Sequence, residues 1–268
     1  MLNAETLFTP MLLVVLTFIR VGSLWMFFPI LSQANIPMIV RVASGLTLSV
    51  ALQPLVAGAL PVWSLNAMPQ ISEVLYFVTR EFLIGAGMGL VARWFFAAVM
   101  SGAQWVGYQM GFSQGSVMNP EFGQNESAWA EFHHWVAVIL FFSIGGHWLM
   151  IDAVAQSYRF DMTHFFDNLL NPQRGTAFWI DIGSHFFVWM FKLSGPVVVV
   201  LLLLQAAMGV LSRFVPQINI WLVSIPVTIG VGVFTFAAIS PMYGDVLGEL
   251  FKSMGEGQYY WLKFVGVR

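Results

Sequence analysis

Glu131 and His134 stand three residues apart, a separation that puts two side chains on one helix face, and His133, His147, His185 and Asp152 lie in the same half of the chain. Such residues bind metal when ligands recur at i and i+3 or i+4, as in H-E-x-x-H. Only the one pair fits, and His147 is more than three helical turns beyond it. No metal site is expected. His147, directly after Gly145 and Gly146, reads as a packing or hydrogen-bonding residue at a helix end. Covalent and phosphate chemistry find less still. There is no G-x-S-x-G elbow, no Walker A sequence and no cysteine. The sequence therefore offers no catalytic residue and no cofactor site, and no enzyme is expected.

The stretch REFLIGAGMGLVAR, residues 80–93, carries a different kind of information. Gly85 and Gly89 are four apart with Glu81 one turn earlier, which on a helix forms a small-xxx-small face that lets another backbone come close. The absence of a preceding strand and the wrong glycine spacing exclude a dinucleotide fingerprint. For Glu81 two readings stand, a paired structural acid or a member of a polar path.

These residues sit in a chain that is 58% hydrophobic and 9% charged over 268 residues, where a soluble domain carries about 25% charged residues. Too few polar side chains exist to cover a soluble surface, so the surface must meet lipid or other protein. The formal net charge of −2 and the absence of a basic block exclude nucleic-acid binding as a function class. The N-terminal residues have no basic n-region, and no cleaved targeting peptide is expected.

Apolar runs cover roughly residues 7–31, 42–63, 74–112, 128–151, 186–212 and 218–242. Each meets the ~20 residues a helix needs to cross a hydrocarbon core of about 30 Å, and the third suffices for two helices or one overlong one. An all-α integral membrane protein with six candidate spans is predicted. Residues 32–37, 64–70, 119–127 and 158–175 read as loops from their Pro, Asn, Gln and Ser content. Lys and Arg fall in connections of both parities, so the positive-inside rule gives no orientation. Arg20, Arg80, Glu81, Arg93 and Lys192 lie inside runs. A charge there normally faces protein or a water-filled path, which points to packing against partners.

Segment 102–127, GAQWVGYQMGFSQGSVMNPEFGQNES, is where a long apolar helix gives way to glycine, serine and amides. It is either an ordinary connection or non-helical backbone at depth, which is tolerated only when buried in protein or lining a cavity. Met110 and Met118 would suit a conformable seal.

GYQMGFSQGSVMNP (107–120), GGHWLMIDAV (145–154) and GVLSRFVPQINIWLVSIPVTIGVG (209–232), together with REFLIGAGMGL, occur in an order that resembles the FliR family over nearly the whole chain. These are the R subunits of the flagellar type III protein export gate, related to the T subunits of virulence injectisomes. The resemblance implies long helical hairpins that assemble with the P and Q subunits (FliP, FliQ) into a closed helical spiral, with contacts to the B and A subunits (FlhB, FlhA). It implies a P-like part over about 1–175 and a Q-like hairpin over about 176–268. It further implies a place in the bacterial inner membrane at the flagellar basal body, and a path for unfolded export substrates.

By position, the family's plug loop falls on 107–120. It includes Gln109, Met110, Gly111, Phe112, Ser113, Gln114, Gly115, Met118, Asn119 and Pro120, and its polar continuation EFGQNES is longer than the family pattern. The turn of the Q-like hairpin falls on RFVPQIN, 213–219, where Pro216 would end a helix. Gln217 and Asn219 would satisfy helix-end backbone groups, and Arg213 would pair with the last carbonyls or a neighbour's acid. A packed tip at the cytoplasmic entrance is expected there, against the alternative of a solvated turn. An injectisome subunit is the nearest competing reading. A secondary transporter with a midplane site would need matched broken helices in two halves, and no internal symmetry is visible.

Overall fold

The computed structural model describes residues 4–31, 36–56, 58, 70–112, 128–214, 217 and 220–266. Among these residues the chain is all-α, with helices α1 (Ala4–Phe27), α2 (Met38–Ala51), α3 (Gln53–Val56), α4 (Ile71–Met110), α5 (Ala128–Ser143), α6 (Gly146–Ser157), α7 (Phe165–Leu169), α8 (Pro172–Phe214) and α9 (Ile220–Val265). It is an all-α integral membrane protein. Among the described residues four helices, α1, α4, α8 and α9, are long and apolar enough to cross a membrane, and α5 with α6 would make a fifth, broken span.

The expectation of six spans needs correction. The run from 42 to 63 yields only the 14-residue α2 and the four-residue α3, and residues 59–69 lie outside the described ones. Conversely, α4, α8 and α9 hold 40, 43 and 46 residues, or about 60 to 70 Å of helix at 1.5 Å per residue. That is about twice a hydrocarbon core. In α8 and α9 the apolar run is continued by polar-flecked helix, before it in α8 and after it in α9, whereas α4 is one apolar run throughout.

The ends of these helices have readable causes. In the stretch read as loop over 158–175, α8 begins at NPQR: Asn171 Oδ1 accepts the N–H groups of Gln173 at 3.1 Å and Arg174 at 3.2 Å, a side-chain N-cap, and Pro172 occupies the first position, where its missing N–H loses nothing. At Pro241 inside α9 the ring removes the donor for the Ala237 carbonyl, and the hydroxyl of Ser240 donates to it instead at 2.9 Å. The third apolar run is one continuous helix with no proline.

The chain divides into two compact units. The first contains the described residues of 1–94, 145–182 and 253–268; the second those of 95–144 and 183–252. In the first, Leu16, Leu24, Ile84, Met88, Phe178 and Leu262 are buried core, and Phe178 stacks on Phe264 with ring centroids 5.2 Å apart, which joins the start of α8 to the end of α9. In the second, Val106 and Met110 of α4, Trp129 and Ala130 of α5 and Val197 and Leu201 of α8 form one cluster, with Ile229 and Phe236 of α9 against it.

Candidate functional site

In the first unit, REFLIGAGMGL places small residues on two faces of α4. A Cβ on Gly85 would fall on the carbonyl oxygen of Arg20 and on Ser23 Oγ, and one on Gly89 would fall on the carbonyl of Leu24. The backbone of α1 therefore lies directly against this face. Gly87, two residues on and so on the far side of the helix, faces the indole of Trp261 in α9, which overlaps the space a Cβ would need. Trp261 Nε1 donates to the Ile84 carbonyl at 3.2 Å and Gln258 Nε2 to the Met88 carbonyl at 3.1 Å. The spacing of Gly85 and Gly89 picks out one face; Gly87 is the residue that reading passes over, although the alternating Gly-Ala-Gly was its signal.

Beside that glycine face is a buried ionic cluster. Arg20 Nε donates to Glu81 Oε2 at 2.6 Å, and Arg80 donates to Glu81 Oε1 at 3.0 Å. Arg20 also donates to Ser157 Oγ at 2.7 Å and lies over the Tyr158 ring at 3.8 Å. Of the charges inside apolar runs, Arg20, Arg80 and Glu81 are buried, whereas Arg93 and Lys192 are exposed on this chain. Lys192 rests over the ring of Trp189 at 4.3 Å.

In the second unit, the end of α4 shows how the 107–120 segment begins. Gly111 takes φ 92°, a left-handed conformation open to glycine. The Phe112 N–H reaches the Gly107 carbonyl at 3.0 Å and the Gly111 N–H the Tyr108 carbonyl at 3.1 Å. That is the Schellman pattern of helix termination, encoded in GYQMGF.

This end is held from three sides. Met110 is fully buried, its side chain against Gly232, and its orphan carbonyl accepts the Thr228 hydroxyl of α9 at 3.0 Å. Gln205 Nε2 of α8 donates to the Gln109 carbonyl at 3.1 Å and to its side-chain oxygen at 2.9 Å. The Phe112 ring stacks on Trp129 of α5, 6.3 Å away and 14° from parallel. Phe112 and Trp129 stand on either side of 113–127 in the sequence. Ser113, Gln114, Gly115, Met118, Asn119 and Pro120 lie outside the described residues.

Behind Trp129 stands an aromatic cluster. His133 is buried and donates from Nδ1 to the Trp129 carbonyl at 2.9 Å, with Phe236 at 4.8 Å and Tyr243 at 5.5 Å from its ring. The other residues weighed as metal ligands do not gather: Glu131 and His185 are exposed, Asp152 accepts from Gln156 at 2.5 Å, and no group of three His, Asp or Glu suited to a metal occurs among the described residues. His147 is the second residue of α6, after Gly145 with φ 75°. Of the hairpin-turn residues, Arg213 lies in the last turn of α8 and is exposed on this chain, as is Gln217, while Pro216 and Asn219 lie outside the described residues.

The described end of α4 is a packed helix end, held by side chains of α5, α8 and α9. The chain is 26% identical over 257 residues to the flagellar biosynthetic protein FliR of Bacillus subtilis (strain 168), covering 94% of this chain and 95% of that one. It is 28% identical over 229 residues to the flagellar biosynthetic protein FliR of Escherichia coli (strain K12), covering 84% and 83%. Its similarity to the surface presentation of antigens protein SpaR of Salmonella typhimurium is 28% over 253 residues, covering 92% and 90%. The family model described as bacterial export proteins, family 1, matches residues 11–254, a span that takes in both the α4 glycine faces and the anchored helix end, and the chain belongs to that family.

Proposed function

We propose that the chain is the R-type subunit of a flagellar type III export gate, and that the segment from 107 to 120 is its plug. The observation that carries this reading is the anchoring of Gln109, Met110 and Phe112 to three other helices. A segment that closes a path needs a fixed root, because a seal tethered to a mobile end would spread over many positions. Here the root is fixed by a helix stop, hydrogen bonds from Gln205 and Thr228, and an aromatic stack.

In this reading the chain is a structural part of the export apparatus and works without a catalytic centre. It sits in the bacterial inner membrane at the flagellar basal body. Its partners are the P and Q subunits, FliP and FliQ, with FlhB and FlhA beside them, and its cargo is unfolded export substrate. Residues from about 1 to 175 act as the P-like part and those from about 176 to 268 as the Q-like hairpin, whose tip is Arg213 to Asn219. Packed apolar surface closes the path, and opening is a change between discrete packings. The exposed Phe214, at 77% of its free area, and the exposed Arg213 become contact residues in the assembled spiral.

The test is the ion conductance of the purified assembly in planar bilayers. Deleting 113–120, which leaves the root intact, raises conductance; unchanged conductance overturns the plug assignment. The similarity to SpaR supports a second reading, an injectisome subunit. Complementation separates the two. The flagellar reading is overturned if the chain restores injectisome secretion but not motility to strains that lack the corresponding subunit.

A further inference from the structure

We infer that the first unit carries a phosphate-binding pocket built around Arg20, Arg80 and Arg159. A cavity of about 280 Å³ is lined by these three arginines and by Ser157, Tyr158, Asp161 and Thr163, with Phe160 and Met162 as its apolar wall. Its volume is many times the space one water needs. Arg20 and Arg80 are buried in its floor, and Arg159, Asp161 and Thr163 form an exposed rim.

Three guanidiniums face two carboxylates. Glu81 is already taken by both Arg20 and Arg80. Asp161 is held by the backbone N–H of Thr163 at 2.9 Å and by its hydroxyl. One positive charge is left in excess among these groups, and the buried Nε of Arg80 has no acceptor among the described residues. A buried donor and a buried charge without a counterpart are both unfavourable, so the pocket is completed by an anion. Guanidinium forks converging on one cavity suit an oxyanion with several acceptor oxygens, and arginine is the residue best matched to phosphate.

The lining segment 157–163 follows the apolar α5–α6 pair, at the end of a candidate span. A pocket at that level is open to two sources of the same chemistry, a free phosphate ion or the phosphodiester of an anionic lipid. The site is separate from the segment proposed as plug and stands or falls without it.

The test uses the full chain purified in an uncharged detergent. In one arm its unfolding temperature is followed against inorganic phosphate, with chloride at matched ionic strength as the reference. In the other the chain is placed in nanodiscs of phosphatidylglycerol mixed with phosphatidylcholine, and the lipid it retains is identified by native mass spectrometry. The expected result is saturable stabilisation by phosphate, or retention of phosphatidylglycerol at least tenfold over phosphatidylcholine. Whichever arm responds names the source. Arg159→Glu, at the exposed rim where folding is not at stake, weakens that binding at least tenfold. The proposal is overturned if neither arm responds, or if a response survives Arg159→Glu unchanged.

Discussion

Arg20 of α1 and Glu81 of α4, 61 residues apart in sequence, meet at 2.6 Å with side chains 2% and 0% exposed. The contact stands next to the place where Gly85 brings the two backbones together, and one makes the other possible. Close approach of α1 and α4 excludes water, and without water the charges must find each other. Of the two readings open for Glu81, the geometry is that of a paired acid, and the same carboxylate also lies against the Arg-lined pocket through Arg80.

Glu81→Ala removes the one carboxylate that both Arg20 and Arg80 contact. Breaking a buried pair by taking one partner leaves uncompensated charge and costs about 3–5 kcal/mol. Denaturant unfolding of the full chain in detergent should show a loss of that size, with Glu81→Asp losing less because it keeps the charge. A loss well under 1 kcal/mol for the alanine variant would mean that water reaches the pair.

Glycine substitutions separate helix propensity from contact. Gly85→Ala puts a methyl group on the Arg20 carbonyl, and Gly87→Ala one on the Trp261 indole, whereas Gly209 of α8 has no atom within 4 Å of the same position. Alanine gains about 1 kcal/mol over glycine in a helix interior. Gly209→Ala is therefore neutral to stabilising in thermal unfolding of the isolated chain. Gly85→Ala and Gly87→Ala lower the midpoint, because overpacking at a rigid contact costs about 1–3 kcal/mol, which outweighs the propensity gained.

Asn171→Ala takes away the acceptor for the N–H groups of Gln173 and Arg174. Loss of a side-chain N-cap costs about 1 kcal/mol. The start of α8 frays, which amide hydrogen exchange over 173–176 reads directly, while Asn171→Asp keeps protection near the original. Equal protection in all three proteins would show that the cap does not hold this end.

Much of this was written in the sequence, for reasons that can be given residue by residue. The all-α membrane class follows from composition, because 9% charged residues cannot cover a soluble surface. The glycine spacing at 85 and 89 names a face, since helix periodicity is local. What that face meets is not local. Nothing in the sequence pairs Glu81 with Arg20 rather than Arg93, or directs Gln205 and Thr228 to the end of α4. Lone polar residues such as Gln205 in LLLLQAAMG were the available signal, because an amide in an apolar run must find a partner. Length alone predicts a span at 42–63, but the run contains Pro54 and Pro61, and the helix there ends at Ala51.

Thr228 provides the most direct probe of the proposed plug root. Its hydroxyl lies 3.0 Å from the Met110 carbonyl, and it can also turn to the carbonyls of Ser224 and Ile225 in its own helix. Those local acceptors remain when the root loosens, so Thr228→Val removes a bond made only with the root docked. One such bond contributes about 1 kcal/mol, or about fivefold in the balance between docked and released root. The valine matches threonine in shape and keeps α9 packed. Conductance of the assembled gate should therefore rise severalfold in Thr228→Val while the assembly purifies at its normal mass, and Gln205→Ala, at the other hydrogen bond to the root, should act in the same direction. If both variants assemble and neither leaks, the end of α4 is a structural helix stop and does not anchor the seal.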